Sequence, residues 1–228
     1  MAPDDQVRTF TETWARFRAL QHTLGPTEDA IETWRRGRER YAVWALRVAD
    51  PVVIARMAAV ADLLAAAIVP VAAERAHVTV WVCGFPCAAP RLDDDVAETI
   101  LAAQRRVAAR SARPRLVVGA PNAFATCAFL EVHDPHGDLA ALRVALAVPG
   151  AKEVRFAPYQ PHVTVGRFGD TRSAAPIADA LAPLRAPEHI TFHTVADAAL
   201  ELIEVDARTP DRLTTVWPRP SAIGGFQR

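Results

Sequence analysis

Short apolar segments alternate with longer Ala- and Leu-rich segments along most of the chain. Segments rich in β-branched and aromatic residues predict strands at residues 41–48, 116–124 and 126–132, and a strand-rich region at 190–205. Helical spacing of apolar residues predicts helices at residues 52–67, 93–110, 138–148 and 175–184. Asp-Pro pairs at 50–51 and 134–135 follow two of the strands, and proline suits the first turn of the next helix. The pattern predicts an α+β protein.

This pattern occurs twice. Residues 45–51 read ALRVADP and residues 129–135 read FLEVHDP, at an offset of 84. HVTV at residues 77–80 returns at residues 162–165, at an offset of 85. Two similarities at nearly one offset indicate two copies of one supersecondary unit. We therefore expect a bilobal, duplicated α+β fold, in which each lobe has a mainly antiparallel sheet with outer helices and a cleft separates the lobes.

Two segments flank the duplicated domain, which we assign to residues 41–208. Residues 1–40 are predicted to form a helical N-terminal extension with apolar positions at Trp14, Phe17, Leu20, Ile31 and Trp34. Residues 209–228 are interrupted by prolines and are predicted to be an irregular C-terminal tail. The sequence leaves open whether either flank covers a lobe or makes a dimer contact, and the oligomeric state stays open with it.

Charge and composition limit the partners. The chain has 26 basic and 26 acidic residues, so no overall field attracts long nucleic acids, and a nucleic-acid ligand should be short or held locally. The longest apolar stretch, residues 57–73, contains Asp62 and Pro70 and is too short to span a membrane. There is no signal-peptide pattern, and Cys83, Cys87 and Cys127 form neither a disulfide framework nor a zinc pattern. We expect a cytoplasmic protein without a metal site.

The repeated HVTV motif carries candidate chemistry. Residues i and i+2 of a strand point to one face, so His77 lies beside Thr79 and His162 beside Thr164. If the two copies face each other, two imidazoles and two hydroxyls surround one cleft. One neutral histidine can accept a proton while a protonated one donates a proton, and threonine hydroxyls can bind phosphate oxygens. A single histidine in a strand is more often structural, but repetition of the whole motif favours phosphodiester chemistry.

The sequence resembles the two-histidine phosphoesterase superfamily, in particular its bacterial 2′-5′ RNA ligase-like (LigT) branch. HVTVWVCG at 77–84 is similar to the first family motif, which usually ends in Leu-Gly. PHVTVGR at 161–167 is similar to the second motif, with its preceding proline and following arginine. Phe124 stands where the family often has an aromatic residue. The resemblance covers about residues 40–205.

The resemblance implies hydrolysis of 2′,3′-cyclic phosphates to 2′-phosphates without a metal or other cofactor. The expected partner is an RNA 2′,3′-cyclic phosphate end or a small cyclic nucleotide. Family precedent assigns water activation to His162 and protonation of the departing O3′ to His77, with Thr79 and Thr164 binding phosphate. The near-symmetry of the two motifs leaves an exchange of the histidine roles open.

Two alternatives to this hydrolase remain. One is a 2′,5′-phosphodiesterase or 2′-5′ RNA ligase, and the other is a non-catalytic RNA- or nucleotide-binding module of the same fold. All four motif residues are present, which favours an enzyme. Whether the substrate is an RNA end, a nucleotide or an ADP-ribose cyclic phosphate stays open.

Four further residues are candidates for substrate contact. Strict alternation points Arg167 away from the cleft, although a bulge at Gly166 would return it. Contact with phosphate or substrate and a surface ion pair both stay open for this residue. Trp81 shares the alternation of His77 and is a stacking candidate, but a tryptophan in a strand is more often in the core, and we favour the core for it. Phe124, beside a turn, and Tyr159, just before the second motif, are the better stacking candidates. The histidines of the HDPH segment at 133–136 are predicted to be surface residues.

Overall fold

The computed structural model describes residues 3–155, 158–196, 198–209 and 212–218. These residues form α1 (Pro3–Arg18), α2 (Glu28–Arg35), α3 (Pro51–Leu63), α4 (Glu98–Ala108), α5 (Asp138–Leu146) and α6 (Ala175–Leu181). They also form β1 (Arg40–Arg47), β2 (Ile68–Pro70), β3 (His77–Cys87), β4 (Asp95–Ala97), β5 (Leu116–Ala123), β6 (Cys127–His133), β7 (His162–Phe168), β8 (His193–Val195), β9 (Ala199–Asp206) and β10 (Leu213–Trp217). The predicted α+β class is confirmed.

One sheet contains these strands in the order β10-β9-β1-β3-β7-β6-β5-β8, with β2 beside β7 and β4 beside β3. The pairs are antiparallel apart from β3 with β4. The two copies of the repeat form the two halves of this sheet, which meet between β3 and β7. The predicted duplication is confirmed, and the sheets of the two lobes join edge to edge at this central pair.

Each half also contributes a segment to the other half. After α3 of the first half, β2 pairs with β7, and the backbone N–H of Val71 donates to the carbonyl of Val165 at 2.8 Å. After α5 of the second half, the N–H of Val154 donates to the carbonyl of Val82 in β3 at 3.0 Å. Both HVTV strands are therefore paired with backbone from the opposite copy of the repeat.

The valines of the two HVTV segments face the main hydrophobic core, where helices α3 to α6 contribute apolar side chains. The Asp50 side chain caps the start of α3 by accepting from the N–H groups of Val52 and Val53, with Pro51 in the first turn. Val53, Met57 and Val60 of this helix are then buried in the core. Burial of each such side chain contributes about 1.5–3 kcal/mol. This packing leaves the opposite face of the central strands for the polar residues.

The N-terminal extension is helical, as expected, and α1 lies across the second half of the sheet. Phe10 packs against Phe129 of β6, and Phe17 stacks with Phe168 of β7. Both phenylalanines of α1 are almost fully buried. The extension is therefore part of the packed domain, and it covers the face of the sheet that carries the second histidine.

The expectation of an irregular C-terminal tail is wrong for residues 213–217. This segment forms β10 at the sheet edge, where Thr215 pairs with Ile203 of β9 and Trp217 contacts Trp44 at 5.3 Å between ring centroids. Residues 210–211 and 219–228 of the predicted tail lie outside the described residues, as does residue 197 of the strand-rich region. In the part of the chain that is described, no helix is both long and apolar enough to cross a membrane.

Candidate active site between the two central strands

The two HVTV segments lie side by side at the centre of the sheet. The first valines of the two motifs pair with each other in the antiparallel register of β3 and β7. The same register sets His77 opposite Thr164 and Thr79 opposite His162. Directly opposite residues share a face, with Cβ atoms about 4.5–5.5 Å apart. Two imidazoles and two hydroxyls therefore form one polar cluster on the face away from the main core.

Both histidine rings are held in the same way. The Nδ1 atom of His77 lies 2.7 Å from the carbonyl oxygen of Arg75, and that of His162 lies 2.8 Å from the carbonyl oxygen of Gln160. In each case the carbonyl belongs to the residue two positions earlier and can only accept, so Nδ1 carries the proton. The Nε2 atom of each ring then remains available for chemistry.

The surroundings of His162 disfavour its protonated form. Burial lowers the pKa of His162 to about 4, while its hydrogen bond to the Gln160 carbonyl acts in the opposite direction. The charges of His77 and Arg155 lower it further. His77 affects the pKa of His162 because the register of β3 and β7 brings the two imidazoles close together. His162 is therefore neutral at physiological pH.

The surroundings of His77 are more balanced in charge. Burial is again the main cause of a lowered pKa, and the carbonyl of Arg75 opposes it. Arg47, which pairs with His77 across β1 and β3, lowers the pKa, whereas Glu201 of β9 raises it. Arg47 and Glu201 are joined by an ion pair of 2.8 Å. His77 thus has a carboxylate within electrostatic reach.

A bulge in β3 turns Trp81 away from this cluster. Thr79 pairs with Ala45 and Trp81 with Trp44, so Val80 has no counterpart on β1. Beyond the extra residue, the alternation is reversed, and Val80 and Trp81 both enter the main core. The expectation that Trp81 shares the face of the first-motif histidine is wrong for this reason. Only 8% of Trp81 is exposed.

The equivalent bulge in β7 acts on Arg167 in the opposite sense. Thr164 pairs with Phe129 and Arg167 with Cys127, so two residues of β7 stand against one residue of β6. The reversed alternation puts Arg167 on the face of His162, where strict alternation would have directed it into the core. The bulge that the sequence analysis considered is therefore present.

The surroundings of Arg167 contain a second arginine. Burial lowers the pKa of the Arg167 guanidinium, and the charge of Arg75 adds to that effect. The close packing of β2 requires glycine at position 166, because a Cβ atom there would lie 2.6 Å from the Ile68 side chain and 2.8 Å from the Val69 carbonyl. Two arginines thus lie at the end of the cluster that is nearer to His77.

Phe124 lies directly beside the second histidine. Its ring meets His162 edge to face at 5.1 Å between centroids, and it stacks on Phe129 at 4.3 Å. Phe129 is also 5.1 Å from the imidazole. Phe124 is half-buried and lines a cavity that contains His162, so it keeps surface for a ligand.

Tyr159 is held from several sides. The guanidinium groups of Arg143 and Arg155 lie 3.7 Å and 4.7 Å from its ring centroid. Its hydroxyl donates to the carbonyl of Thr79 at 3.0 Å. Through these contacts Tyr159 holds the backbone of the first motif in place. Burial strongly raises the pKa of its phenol.

His133 is not the surface residue that was expected. Its ring packs edge to face against Phe10 and Phe192 at 5.1 and 5.6 Å, and only 13% of its side chain is exposed. The turn residue His136 is exposed, as predicted. Within the described ranges, no group of three or more His, Cys, Asp or Glu side chains is arranged to hold a metal ion.

The sequence of the chain matches the model of a known family over the region that contains this cluster. Residues 50–200 match the 2′-5′ RNA ligase superfamily. The chain belongs to this superfamily. A search of curated proteins returned no significant match.

Two solved structures are similar to this chain. LigT of E. coli in its apo form is 17% identical, with a TM-score of 0.50, and the match covers 79% of this chain and 96% of LigT. A protein of Thermus thermophilus is also 17% identical, with a TM-score of 0.47 over 77% of this chain and 94% of the other. At this identity the likeness to LigT indicates a shared fold.

Several residues around the cluster lie outside the 2′-5′ RNA ligase superfamily match or escaped the sequence analysis. Arg47 of β1, Glu201 of β9 and all of α1 lie outside residues 50–200. Arg155, which lowers the pKa of His162, lies inside the match but in a loop without a motif. Arg47 occupies the position in ALRVADP that Glu131 occupies in FLEVHDP, at the same offset of 84. This equivalence could have indicated that Arg47 lies beside His77.

Proposed function

We propose that this protein is a metal-independent phosphodiesterase that hydrolyses 2′,3′-cyclic phosphates of RNA ends or nucleotides to 2′-phosphates. One observation carries the proposal. The strand register brings two histidines and two threonines onto one face, and both imidazoles have Nδ1 bonded and Nε2 available. Membership of the 2′-5′ RNA ligase superfamily supports phosphoester chemistry at this cluster. We place the reaction in the cytoplasm, where RNA ends and nucleotides are available.

In the proposed reaction, Nε2 of neutral His162 removes a proton from water as its oxygen attacks phosphorus. The bond between phosphorus and O3′ breaks, and O3′ takes a proton from Nε2 of His77. The products are a 2′-phosphate and a free 3′-hydroxyl. The low pKa of His162 supports its role as base, because the base must be neutral at the start. Burial and Arg47 lower the pKa of His77 and Glu201 offsets only part of this effect, so the role of His77 as acid depends on the charge of the bound phosphate.

Thr79 and Thr164 complete the proposed site from opposite sides of the phosphate. Each threonine lies opposite the histidine of the other motif, so each proton-transfer group has a hydroxyl across the strand boundary. A hydroxyl that donates to a non-bridging oxygen stabilises the negative charge that develops there. A bound phosphate also raises the pKa of His77 by its charge, which helps this residue to enter the reaction protonated.

The direct test is incubation with 2′,3′-cyclic AMP, GMP, CMP and UMP and with an RNA oligonucleotide ending in a cyclic phosphate, all in excess EDTA. We expect turnover and exclusive formation of 2′-phosphates, identified by comparison with authentic 2′- and 3′-monophosphates. A requirement for added Zn²⁺ or Mn²⁺ would show that the paired-histidine mechanism is wrong. Cleavage or joining of 2′,5′ linkages in preference to cyclic phosphates would identify the ligase-like alternative.

A further inference from the structure

A cavity of about 530 Å³ opens beside His162, and α1 forms one of its walls. The side chains of Thr13, Arg16 and Phe17 line it from the helix, opposite Phe124 and Gln160. Its volume lies in the range of small-molecule sites. The residues of α1 that form this wall are outside the segment that matches the superfamily, so the cavity is completed by the N-terminal extension of this chain.

Gln160 connects the helix to the histidine. Its backbone carbonyl holds Nδ1 of His162, and its side-chain Oε1 accepts from the hydroxyl of Thr13 at 2.9 Å. Only 8% of Gln160 is exposed, yet its Nε2 has no hydrogen-bond partner among the described residues. A buried amide N–H without a partner is unfavourable, so an acceptor supplied by a ligand would satisfy it.

The two arginines that line the cavity both contact carboxylates. Arg16 forms an ion pair with Glu12 at 3.2 Å, and Arg155 forms one with Glu153 at 2.7 Å. The remaining wall is largely apolar, with Phe17 and Phe124 as its largest side chains. A neutral, flat group with polar edges fits these largely apolar walls better than a second phosphate does, because both arginines are already held by carboxylates.

We propose that this cavity binds the nucleobase of a substrate whose phosphate lies between the two histidines. In this site the base packs beside Phe124, and the Gln160 amide, oriented by Thr13, donates to an acceptor on the base. Glu12 and Arg16 provide an acceptor and donors at the outer edge. The inference rests on the proposed function and adds that α1, a segment outside the superfamily match, sets the preference for a base-bearing substrate.

The test compares 2′,3′-cyclic AMP with an abasic analogue, 1,4-anhydroribitol 2,3-cyclic phosphate. Thr13→Val removes the hydrogen bond to Gln160 with little change in shape. We expect the ratio of kcat/KM for the nucleotide to that for the abasic analogue to fall about three- to tenfold, the loss typical of one hydrogen bond. Ala125→Leu adds bulk to the cavity wall and should lower the same ratio further.

Matched controls come from the same helix. Thr11→Val and Arg18→Gln change exposed positions that do not line the cavity, so the ratio should stay within twofold of the wild-type value. Arg16→Gln, two residues before Arg18, should lower it. Thermal unfolding of each variant shows whether a loss reflects misfolding. An unchanged ratio in both Thr13→Val and Ala125→Leu would overturn the inference.

Equilibrium binding separates this inference from the proposed reaction. Adenosine 2′-monophosphate should bind more tightly than the 2-phosphate of 1,4-anhydroribitol, and Thr13→Val should reduce the difference about three- to tenfold. If no cyclic phosphate is hydrolysed but this difference persists, the reaction is wrong and the base site stands. If hydrolysis occurs with equal kcat/KM for the nucleotide and the abasic analogue, the base site is wrong and the reaction stands.

Discussion

The two halves of the sheet share one backbone plan but surround their histidines differently. His77 lies beside Arg47, which is bonded to Glu201, at the end of the site that also holds Arg75. His162 lies between phenylalanine rings and close to α1. The strand geometry, the bulge after each threonine and the hydrogen bond to Nδ1 are the same in both. Duplication thus supplies two equivalent imidazoles, and in the proposed reaction their divergent neighbours distinguish the base from the acid.

Equivalent positions on the flanking strands illustrate this divergence. Arg47 of β1 pairs with His77, and Glu131 of β6 pairs with His162. Glu131 is buried and neutralised by Arg185 at 2.6 Å, with Asn122 donating to it at 2.7 Å. The first half therefore has an ion pair, Arg47 with Glu201, beside His77 at the site. In the second half, the carboxylate opposite His162 is held in a buried network with Arg185 and Asn122.

The largest effect should come from removing either histidine. His77→Ala and His162→Ala should each reduce kcat by at least about 10²–10⁴-fold, because each deletes one proton transfer. The double variant should lose far less than the product of the two, because both groups act on one transition state. Steady-state and single-turnover assays on a 2′,3′-cyclic nucleotide measure these losses. A folded His162→Ala protein with wild-type turnover would make the duplication purely structural.

Removal of the hydroxyls should have the next largest effect. Thr79→Val and Thr164→Val preserve side-chain shape, and each should reduce kcat about 10–10³-fold if the lost bond forms mainly to developing charge. The two variants should lose similar factors in kcat, because each threonine lies opposite the histidine of the other motif. If one variant is inactive and the other is unaffected, the phosphate is bound by one half alone.

Arg167 should affect substrate binding more than turnover. Arg167→Gln removes a charge near the end of the site and should raise KM about tenfold, within the range of a hydrogen bond between charged groups. Arg172→Gln is a matched control, because Arg172 is bound to Asp170 in a surface turn. Equal KM values for the two variants would show that Arg167 has only a structural role.

The smallest expected effects are shifts in the pH values at which activity is lost. With His162 as base, activity should fall as the pH drops through about 4, and with His77 as acid it should fall as the pH rises. The free-enzyme pKa of His77 is lowered from 6.5, so the alkaline limb of kcat/KM should lie below that value. The alkaline limb of kcat should lie at higher pH than that of kcat/KM, because the bound phosphate favours the imidazolium form of His77.

Replacing one carboxylate tests the assignment of this alkaline limb. Glu201→Gln removes the charge that raises the pKa of His77 and leaves Arg47, so the limb should move to lower pH by less than about one unit. Glu204→Gln, on the same strand and paired with Arg40, should leave the limb in place. If Glu201→Gln instead moves the limb at low pH, His77 is the base and His162 is the acid.

Much of this architecture could be predicted from the sequence because the repeat is strong. The HVTV offset identified both central strands and the four polar residues, and the Asp-Pro pair marked the start of α3. Trp81 lies in the core, which was favoured for it, but strict alternation had put it on the face of His77, because alternation along one strand cannot reveal a bulge that depends on the register with β1. The edge strand β10 was missed because its pairing comes from β9 rather than from its own pattern.

The contribution of α1 to the site could not be predicted for a related reason. Its apolar positions identified a buried helical face, and Phe17 is indeed buried. The surface that receives this face is formed by β5, β6 and β7, which lie more than 90 residues later in the chain. Contacts between segments so far apart leave no local pattern, and neither the bond from Thr13 to Gln160 nor the cavity could be read from the sequence.

The exchange of backbone segments between the halves makes this chain resemble a homodimer fused into a single polypeptide. Val71 donates to Val165 in the second half, and Val154 donates to Val82 in the first, so each copy completes the strand that carries the other copy's histidine. Neither copy can therefore diverge freely. A change in the segment after α3 acts first on the surroundings of His162, and a change after α5 acts first on those of His77.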